Sequence, residues 1–488
     1  MSNLHHVHFI IDGEKYRSSS GETYPTYSNV GEPKSIVESA SYEDAVKAIE
    51  SAHAAQPEWE KVPLEDKRDI LLKASDILIT PKYLEAFVDI LLSEKSTTEA
   101  GAKREVFVAR ALLKGYTSKY SQLVGETLPS RVSNGTVFIQ RRALGVILAM
   151  APWNAPLMLA MRAIAIPVLC GNTIVFRSSE LAPRSVELLI EIFHEAGLPN
   201  GVVNLIHIAG EKNPELVPNI IAHPLIRLVS FTGGTHVGRI IAVKAARSLK
   251  PVILELGGQG AMIVLNDANV KEAARSIVSA AYASSGQICV STSRVIVQRE
   301  VSEELVSEIT EMVKKLKAGS APDSHLPALR TAKFAERIVN SIQSAQDSGA
   351  QVLNGDVKHD GPVLQPHLLL GVTPEMNIWK EEIFGPALGI AVCDTIDEAI
   401  NLANNSEYNL SAGLWTRSLK AMEWASRIRV GWVMVNGGSS HIEFSTELAG
   451  LGGGSGWGAY DIDNLTQKRA IILLPEDSYK PLVDDLKL

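Results

Sequence analysis

The chain has 488 residues, of which 45% are hydrophobic and 21% charged, and its formal net charge is −8. This length predicts about three domains, since a domain averages roughly 150 residues, and the composition is that of a globular protein with a large core. The acidic balance argues against nucleic acid as a partner. The three cysteines, Cys170, Cys289 and Cys393, are too scattered for a disulfide framework, which favours a reducing, cytoplasmic environment.

Two segments raise the question of targeting, metal binding or membrane insertion. The N-terminus has no basic segment followed by an apolar run, so we expect no signal peptide. Its histidines, His5, His6 and His8, are interpreted as part of a mobile, solvated terminus, and no metal site is expected. The uncharged stretch between Arg142 and Arg162 is about as long as a membrane-spanning helix. Two prolines and an asparagine in its middle would break such a helix, so we predict a strand, a turn and a buried helix, with no membrane partner.

The first third of the chain carries helix and hairpin signals. Residues 9–11 followed by Asp12-Gly13 predict a strand that enters a turn. Helices are predicted from Ser41 to about Ala55, from Pro63, after Pro81, and from about Thr98 to Tyr120. Asn134-Gly135 predicts a protruding hairpin, whose free edge is suited to pairing between subunits.

From Gly145 onward, short apolar strands alternate with helices. The first series has strands at 146–149, 173–176, 202–206 and 228–231, with helices at 157–169, 185–196 and 214–222. The second begins near Leu256 and has strands at 261–264, 295–297, 388–392, 411–414 and 432–435, with helices at 270–284, 302–316, 331–346, 396–404 and 419–427. A last strand at 470–474 is followed by an expected loose tail. This alternation predicts an α/β fold with two doubly wound parallel sheets.

A thiol and a carboxylate stand out as candidates for covalent catalysis. Cys289 ends the segment Gly286-Gln287-Ile288-Cys289, and Glu255 opens Glu255-Leu256-Gly257-Gly258. If the two meet over a substrate, the sulfur attacks first and the carboxylate later activates water. Taken singly, each has a plainer interpretation: a cysteine is often a small buried hydrophobe, and a glutamate can end a strand in a salt bridge.

Four further motifs are weak signals on their own. Asn154 follows the first strand of the long series, where its amide could stabilise an oxyanion or cap a helix. Arg177 and Glu180 could hold two ribose hydroxyls or form a surface pair. The glycine pair in residues 231–238 precedes a helix whose N-terminus could bind pyrophosphate. Residues 381–386 place a carboxylate and an aromatic ring before a turn, in either a ribose contact or an ordinary loop.

Taken together, these motifs resemble the NAD(P)-dependent aldehyde dehydrogenases. The resemblance covers roughly residues 10–474 and consists of six motifs in the family's order: Pro152-Trp153-Asn154, Arg177 to Glu180, Phe231-Thr232-Gly233, Glu255-Leu256-Gly257-Gly258, Gly286-Gln287-Ile288-Cys289 and Glu382-Ile383-Phe384-Gly385-Pro386. Trp153-Asn154-Ala155-Pro156 followed by Arg162-Ala163-Ile164-Ala165 is similar to the vanillin, benzaldehyde and salicylaldehyde dehydrogenases within that family.

The resemblance implies roles for particular residues. Cys289 would be the nucleophile, Asn154 and the Cys289 backbone N–H would hold the oxyanion, and Glu255 would activate water. The implied cofactor is NAD, with NADP as an alternative. Residues implied to bind it are Pro152, Trp153, Arg177, Ser179, Glu180, Gly210, Phe231, Thr232, Gly233, Gly234, Leu256, Glu382 and Phe384. The aldehyde, expected to be aromatic, would contact Ala155, Ile288, Val290 and Ala449.

The chain departs from the family pattern at several positions. Arg177 replaces the usual lysine, which favours a 2′-phosphate, whereas Glu180 would repel one. Gly234 occupies a position where the family usually has serine, and Gln259 one where it usually has lysine. The family's Pro-Phe-Gly-Gly-x-Lys loop appears as 448–458 without its proline, phenylalanine and lysine, which puts the shape of the substrate entrance in question.

The implied architecture is an aldehyde dehydrogenase-like fold. Residues 1–122 and 143–253 would form the dinucleotide-binding domain, 254–445 the catalytic domain, and 123–142 with 459–488 a small β segment for oligomerisation into a homodimer or homotetramer. A coenzyme A-acylating semialdehyde dehydrogenase is one alternative, disfavoured by Glu255, since acyl transfer to a thiol needs no base for water. A catalytically silent structural or binding protein is the other, disfavoured by the intact Cys289, Glu255 and Asn154.

Overall fold

The computed structural model describes residues 4–478 except 30, 96, 320, 322, 323, 442, 444, 445 and 447. The strands are β1 (His5–Val7), β2 (Phe9–Ile11), β3 (Glu14–Tyr16), β4 (Thr23–Tyr27), β5 (Pro33–Glu38), β6 (Glu126–Pro129), β7 (Thr136–Ala143), β8 (Val146–Met150), β9 (Thr173–Arg177), β10 (Val203–Ile206), β11 (Ile226–Thr232), β12 (Val252–Glu255), β13 (Gly260–Val264), β14 (Thr292–Gln298), β15 (Gln351–Asn354), β16 (His367–Leu370), β17 (Ala387–Cys393), β18 (Ser411–Trp415), β19 (Trp432–Val435) and β20 (Thr466–Leu473).

The α-helices lie between and over these strands. They are α1 (Tyr42–Lys61), α2 (Leu64–Ile77), α3 (Pro81–Glu94), α4 (Glu99–Ser118), α5 (Pro156–Leu169), α6 (Pro183–Ala196), α7 (Asn213–Ala222), α8 (Thr235–Arg247), α9 (Val270–Tyr282), α10 (Arg299–Val313), α11 (Ala332–Asp347), α12 (Asn377–Lys380), α13 (Ile396–Asn404), α14 (Ala421–Ala425) and α15 (Ile462–Leu465).

Two seven-stranded sheets confirm the predicted α/β fold. The first has the order β12-β11-β8-β9-β10-β2-β3, and the second β15-β16-β17-β14-β13-β18-β19. Both are parallel except at one edge: β2 pairs antiparallel with β10 and β3, and β15 pairs antiparallel with β16. Helices cover both faces, as the alternating sequence pattern requires.

The first sheet is packed on a helix that is buried on every side. In α5 every residue except Met158 is buried, and the helix packs against α4 and α6 within the largest apolar cluster. The burial of this apolar helix explains the uncharged stretch between Arg142 and Arg162, whose length is close to that of a membrane-spanning helix. Among the described residues, no helix is both long and apolar enough to span a membrane.

A third sheet, with the order β20-β7-β6, stands apart from the two large ones. It contains the hairpin predicted at Asn134-Gly135, and β20 pairs with β7 along eight residues, from Thr466↔Ala143 to Leu473↔Thr136. Apolar side chains are exposed on it, namely Leu128, Phe138, Ile471, Ile472 and Leu473. Such an apolar surface on an isolated sheet is typical of an interface.

The structure corrects the expectation of a mobile N-terminus. β1 pairs in parallel with β5, and Val7 is fully buried. His5 and His8 both contact Glu187, through a side-chain bond of 3.1 Å and a backbone bond of 3.3 Å respectively. The sequence pattern gave no sign of this because β1, β4 and β5 are short and form a small sheet of their own.

Helix α1 also runs further than predicted, to Lys61 and across Pro57. Its last turn is held because Trp59 is buried and donates its indole N–H to the carbonyl oxygen of Val168 at 3.0 Å. The N-cap at Ser41 is confirmed, since its hydroxyl accepts from the backbone N–H of Asp44. Residues 479–488 of the expected loose tail lie outside the described residues.

Candidate active site

The predicted motifs meet because the carboxyl ends of four parallel strands are in register. Met150 at the end of β8 lies opposite Arg177 on β9 and opposite Phe231 on β11. Thr232 in turn lies opposite Glu255 on β12. The residues that follow these strands therefore share one edge of the first sheet, which is where doubly wound proteins bind ligands.

Asn154 links this edge to the loop that carries Cys289. The side chain is buried, and its amide donates to the carbonyl oxygen of Gln287 at 3.0 Å. It does not cap α5; the carboxylate of Glu105 does, accepting from the backbone N–H groups of Leu157 and Met158 at 3.0 and 3.3 Å. Asn154 therefore lies beside the thiol segment. Its second amide hydrogen is not used in the bond to Gln287.

A strained turn presents Cys289. Ser284, Ser285 and Gly286 all have positive φ, at 51°, 55° and 71°. A side chain at Gly286 would place its Cβ 2.2 Å from the carbonyl oxygen of Gly385, so only glycine fits there. Non-glycine residues in this conformation cost free energy and cluster at functional sites, where the surrounding structure holds them.

The environment of the Cys289 thiol disfavours its charged form. Burial raises the pKa of Cys289 above its usual range, and the carboxylates of Glu255 and Glu382 raise it further. The guanidinium of Arg162 acts in the opposite direction. Cys289 is partly exposed, whereas Cys170 and Cys393 are buried. A base is therefore needed before this sulfur can attack.

Glu255 is held by Arg162, a residue to which the sequence pattern assigned no role. The two side chains form an ion pair in which both partners are buried. Arg162 also donates to the hydroxyl of Thr232 at 3.1 Å, and its guanidinium lies 4.8 Å from the centre of the Tyr460 ring. The available signal was a single charged residue inside the apolar helix α5, since a charge at such a position must be paired.

Glycines allow the strand of Glu255 to approach the thiol loop. A Cβ at Gly258 would lie 1.9 Å from the carbonyl oxygen of Cys289. The backbone N–H of Gly258 donates to Glu382 at 2.9 Å. Burial raises the pKa of Glu382 to about 7, although that bond and Arg337 lower it. A Cβ at Gly257 would meet Glu382 within 2.8 Å, so both glycines keep this cleft open.

Arg177 and Glu180 pair with each other at the end of β9. Their salt bridge measures 3.0 Å, and Arg177 is the more buried partner. The Nε atom of Arg177 is a buried donor without a hydrogen-bond partner among the described residues. Gly210 lies opposite, because a Cβ there would be 3.7 Å from the Glu180 side chain. Ser179 is buried nearby and accepts from the N–H of Leu181 at 3.3 Å.

The turn from β11 into α8 leaves backbone exposed at the helix N-terminus. Gly234 is the N-cap residue, and a Cβ there would meet nothing within 4 Å. A Cβ at Gly233 would instead lie 2.4 Å from the Phe231 ring. Thr232 is buried below, and Leu256 is buried against Gly238 of α8. The open end of α8 fits an anionic group.

Three aromatic rings line the other wall of the cleft. Trp153 stacks on Phe334 of α11 with 6.0 Å between ring centroids, and Phe384 meets Trp153 edge-on at 6.1 Å. Phe384 has a φ of +52°. Pro152, like Trp153, is half-buried. The structure therefore brings Trp153 and Phe384 together, and Phe334 is a member of this group that sequence reasoning missed.

The predicted substrate residues lie on the thiol loop, before α5 and beside Gly431. Ile288 is half-buried and Val290 is buried, on either side of Cys289. Ala155 is half-buried against the core of the first sheet. The backbone of Ala449 lies against Gly431, where an added Cβ would be 1.9 Å from the Ala449 oxygen.

The altered loop after Ala449 braces the strand of Glu255. The backbone N–H groups of Leu254 and Leu256 donate to Trp457 and Ser455 at 2.8 and 3.1 Å. The hydroxyl of Ser455 donates to the carbonyl oxygen of Gly257 at 2.7 Å. The loop therefore takes the place of a further strand beside β12.

Comparison with known proteins identifies the family to which the chain is similar. A model of the aldehyde dehydrogenase family matches residues 16–470. The chain is 37% identical to vanillin dehydrogenase from Pseudomonas sp. strain HR199 over 98% of this chain and 100% of that one. It is 33% identical to benzaldehyde dehydrogenase [NAD(+)] from Pseudomonas putida, over 96% and 98% of the two chains.

Solved structures lead to the same group. The crystal structure of a salicylaldehyde dehydrogenase from Pseudomonas putida G7, complexed with salicylaldehyde, matches with a TM-score of 0.94 at 32% identity, over 98% of this chain and 100% of that one. The fold and these matches define the protein as an oxidoreductase of the dehydrogenase class. The chain belongs to the aldehyde dehydrogenase family, whose members oxidise an aldehyde to a carboxylic acid.

Proposed function

We propose that this enzyme oxidises an aromatic aldehyde to its carboxylic acid with NAD, through a covalent thioester on Cys289. The observation that carries the proposal is the approach of the thiol loop to the strand of the buried carboxylate Glu255, at the edge where Asn154 lies. The similarity to enzymes named for vanillin, salicylaldehyde and benzaldehyde supports an aryl substrate.

In the first step, Cys289 loses its proton and its sulfur attacks the carbonyl carbon of the aldehyde. We assign the free amide hydrogen of Asn154 and the backbone N–H of Cys289 to the oxygen that becomes negative. The bond from Asn154 to Gln287 fixes the amide, so the donor needs no reorganisation during attack. The negative charge of Glu255 acts against ionisation of the thiol, so we assign that proton to solvent water and keep Glu255 as the base of the later step.

In the second step, Glu255 activates the water that releases the acid. A bound nicotinamide supplies the acceptor for the hydride that leaves the substrate carbon beforehand. The ion pair with Arg162 compensates the Glu255 carboxylate in a buried position, where an unpaired carboxylate would be strongly disfavoured. We infer that Glu255 exchanges Arg162 for water when the acyl group is in place.

The residues at the sheet edge fit a dinucleotide. The unpartnered Nε of Arg177 and the carboxylate of Glu180 match the two hydroxyls of a ribose. The open N-terminus of α8 matches the pyrophosphate, and Glu382 beside Phe384 and Trp153 matches the second ribose and its nicotinamide. The other residues that we assign to the dinucleotide site are Pro152, Ser179, Gly210, Phe231 and Leu256.

We infer a preference for NAD over NADP. The carboxylate of Glu180 would lie near a 2′-phosphate, and its pairing with Arg177 at 3.0 Å neutralises the cation that would attract one. Repulsion at such a site is worth about 1 kcal/mol or more. A kcat/KM ratio in favour of NADP would overturn this inference, and Glu180→Gln should move the ratio towards NADP.

For the architecture, we propose that residues 1–122 and 143–253 bind the dinucleotide and that 254–445 carry the thiol domain. Residues 123–142 and 459–488 would then form the segment that pairs subunits into a homodimer or homotetramer. The separate sheet β20-β7-β6 with its exposed apolar side chains supports that assignment. The free, buried Cys170 and Cys393 are consistent with a cytoplasmic enzyme.

A panel of aldehydes with both cofactors tests the proposal. We expect NADH formation with benzaldehyde, vanillin and salicylaldehyde at a higher kcat/KM than with acetaldehyde or hexanal. Equal efficiency with acetaldehyde would reject an aryl site. Dependence on coenzyme A would indicate the acylating alternative, and no turnover with any aldehyde would indicate a silent protein.

A single substitution tests the ring site itself. Ala155 lies directly after the oxyanion residue Asn154, and a large side chain there would compete with a substrate ring. Ala155→Phe is expected to lower kcat/KM for aryl aldehydes far more than for acetaldehyde. Equal losses for both substrates would show that Ala155 does not contact the ring.

A further inference from the structure

The N-terminal strand brings two histidines and a glutamate onto one face of the small sheet. Side chains alternate along a strand, so His6 and His8 of the sequence His6-Val7-His8 point the same way. The parallel register pairs His6 with Ile36 and Val7 with Val37. Glu38 follows Val37 and so falls opposite His8, on the same face as both histidines.

The polar atoms of these three residues converge. One ligand atom from each lies within 4.8 Å of the other two. His6 Nε2 lies 2.8 Å from Glu38 Oε1, and the two imidazole rings stack with centroids 4.6 Å apart. His6 Nε2 and His8 Nδ1 are nevertheless both buried without a hydrogen bond to any described residue. A metal ion between the two buried nitrogens and the carboxylate would satisfy both nitrogens.

The Glu38 carboxylate is held in a position from which it can bind a metal ion. The residue is 2% exposed, and its Oε2 atom accepts from the backbone N–H of Ser18 at 2.8 Å. That bond fixes the carboxylate and leaves Oε1 directed at the histidines. A buried carboxylate is costly unless a cation compensates it.

The surrounding charges are mixed. Glu187 lies against His5 and His8, and Lys15 lies 3.5 Å from Glu187 and 2.7 Å from Glu191. A metal ion binds the neutral form of an imidazole, whose ring nitrogen then has a lone pair to offer.

We propose that His6, His8 and Glu38 form a binding site for a divalent transition metal ion, of which zinc is the best match. Two imidazole nitrogens and one carboxylate oxygen suit Zn²⁺, at about 2.0–2.2 Å from each ligand atom. The His6 side chain is 36% exposed, so solvent reaches the site and can supply the fourth ligand. The ion would tie β1 to β5 and so fasten the start of the chain within the small sheet.

Calorimetric titration with zinc chloride tests the site on the full-length protein after dialysis against a chelator. Because cysteine is itself a zinc ligand and Cys289 is partly exposed, the parent for this titration carries Cys289→Ser. His6→Ala and His8→Ala are compared in that background with His5→Ala, which removes the adjacent histidine on the opposite face of the same strand. A parallel thermal-denaturation series with and without zinc checks folding.

We expect the parent and His5→Ala to bind one zinc ion per chain and to gain thermal stability from it. His6→Ala and His8→Ala should weaken that binding by at least about tenfold, the loss that removing even a supporting group causes, while melting like the parent without zinc. His6 lies at the surface, so its substitution does not disturb the core. Absence of zinc binding in the parent, or unchanged affinity in a His6→Ala variant that melts normally, would overturn the proposal.

Discussion

At the scale of single residues, the ion pair between Arg162 and Glu255 is the feature on which the proposed deacylation depends. Both side chains are buried, so removing the guanidinium leaves a carboxylate without compensation. Loss of one partner of a buried pair costs roughly 3–5 kcal/mol of stability. The same loss disfavours the charged carboxylate that must accept a proton from water.

Replacing Arg162 therefore yields the first prediction. Arg162→Met should lower kcat, because the carboxylate that must accept a proton from water then lacks a compensating charge. Arg162→Lys, which keeps the charge, should retain more activity. A fall in melting temperature with an unchanged kcat would show that Arg162 has a structural role only.

Glu382 provides a second prediction, based on its raised pKa of about 7. Below that pH the protonated form predominates, and above it the carboxylate, which accepts hydrogen bonds from ribose hydroxyls more strongly. The Kd for NAD should therefore fall by about fivefold between about pH 6 and pH 8, in line with the gain from a charged acceptor. In Glu382→Gln this dependence should disappear; if it persists, another group is responsible.

At the scale of elements, the close approach of β12 to the thiol loop fixes the distance between base and nucleophile. A methyl group at Gly258 would lie 1.9 Å from the Cys289 carbonyl oxygen, so the loop must move to admit it. Gly258→Ala should reduce kcat/KM by about 10²-fold, the typical result of a shift near 1 Å. Gly437→Ala is the matched control, since its Cβ would make only an ordinary contact with Met434 at 3.5 Å, and equal damage from both changes would contradict this expectation.

The elements also show why the fold was predictable from the sequence. Buried parallel strands such as β8 and β9 appear as short apolar runs, and α5 and α6 as helices bounded by proline or glycine, so type and order could be inferred. The small sheet of β1, β4 and β5 could not, because its strands are short and paired with residues distant in the chain.

The site was predictable for a different reason. Asn154 and Glu255 could be placed together because neighbouring parallel strands end at a common edge, whereas Cys289 precedes β14 of the second sheet and was placed beside them by the family resemblance alone. The partner of Glu255 was missed because Arg162 lies about two turns into a helix, and no local pattern specifies what a buried charge will meet. Phe334 was missed because it lies on α11, far along the chain from the Trp153 ring on which it stacks, and no local pattern connects the two.

At the scale of the whole molecule, the sheet β20-β7-β6 exposes apolar side chains that a second copy would cover. Ile472, which is 59% exposed, lies within β20. Ile472→Lys should shift the enzyme from an oligomer to a monomer in sedimentation velocity, because a lysine ammonium cannot be buried unpaired. Leu419→Lys changes a fully exposed side chain elsewhere and should leave the assembly intact. A monomeric parent protein would refute the assignment of this sheet.

The central claim is that Cys289 carries the acyl group and that Glu255 is needed to release it. Glu255→Gln should slow steady-state turnover by on the order of 10²–10⁴-fold, while one equivalent of NADH still forms on mixing with NAD and benzaldehyde.

Mass spectrometry of that quenched mixture is the most direct measurement. We expect a benzoyl group on the peptide that contains Cys289, and none when Cys289→Ser is added. NADH release with no acyl adduct, or an adduct on Cys170 or Cys393 instead, would contradict it.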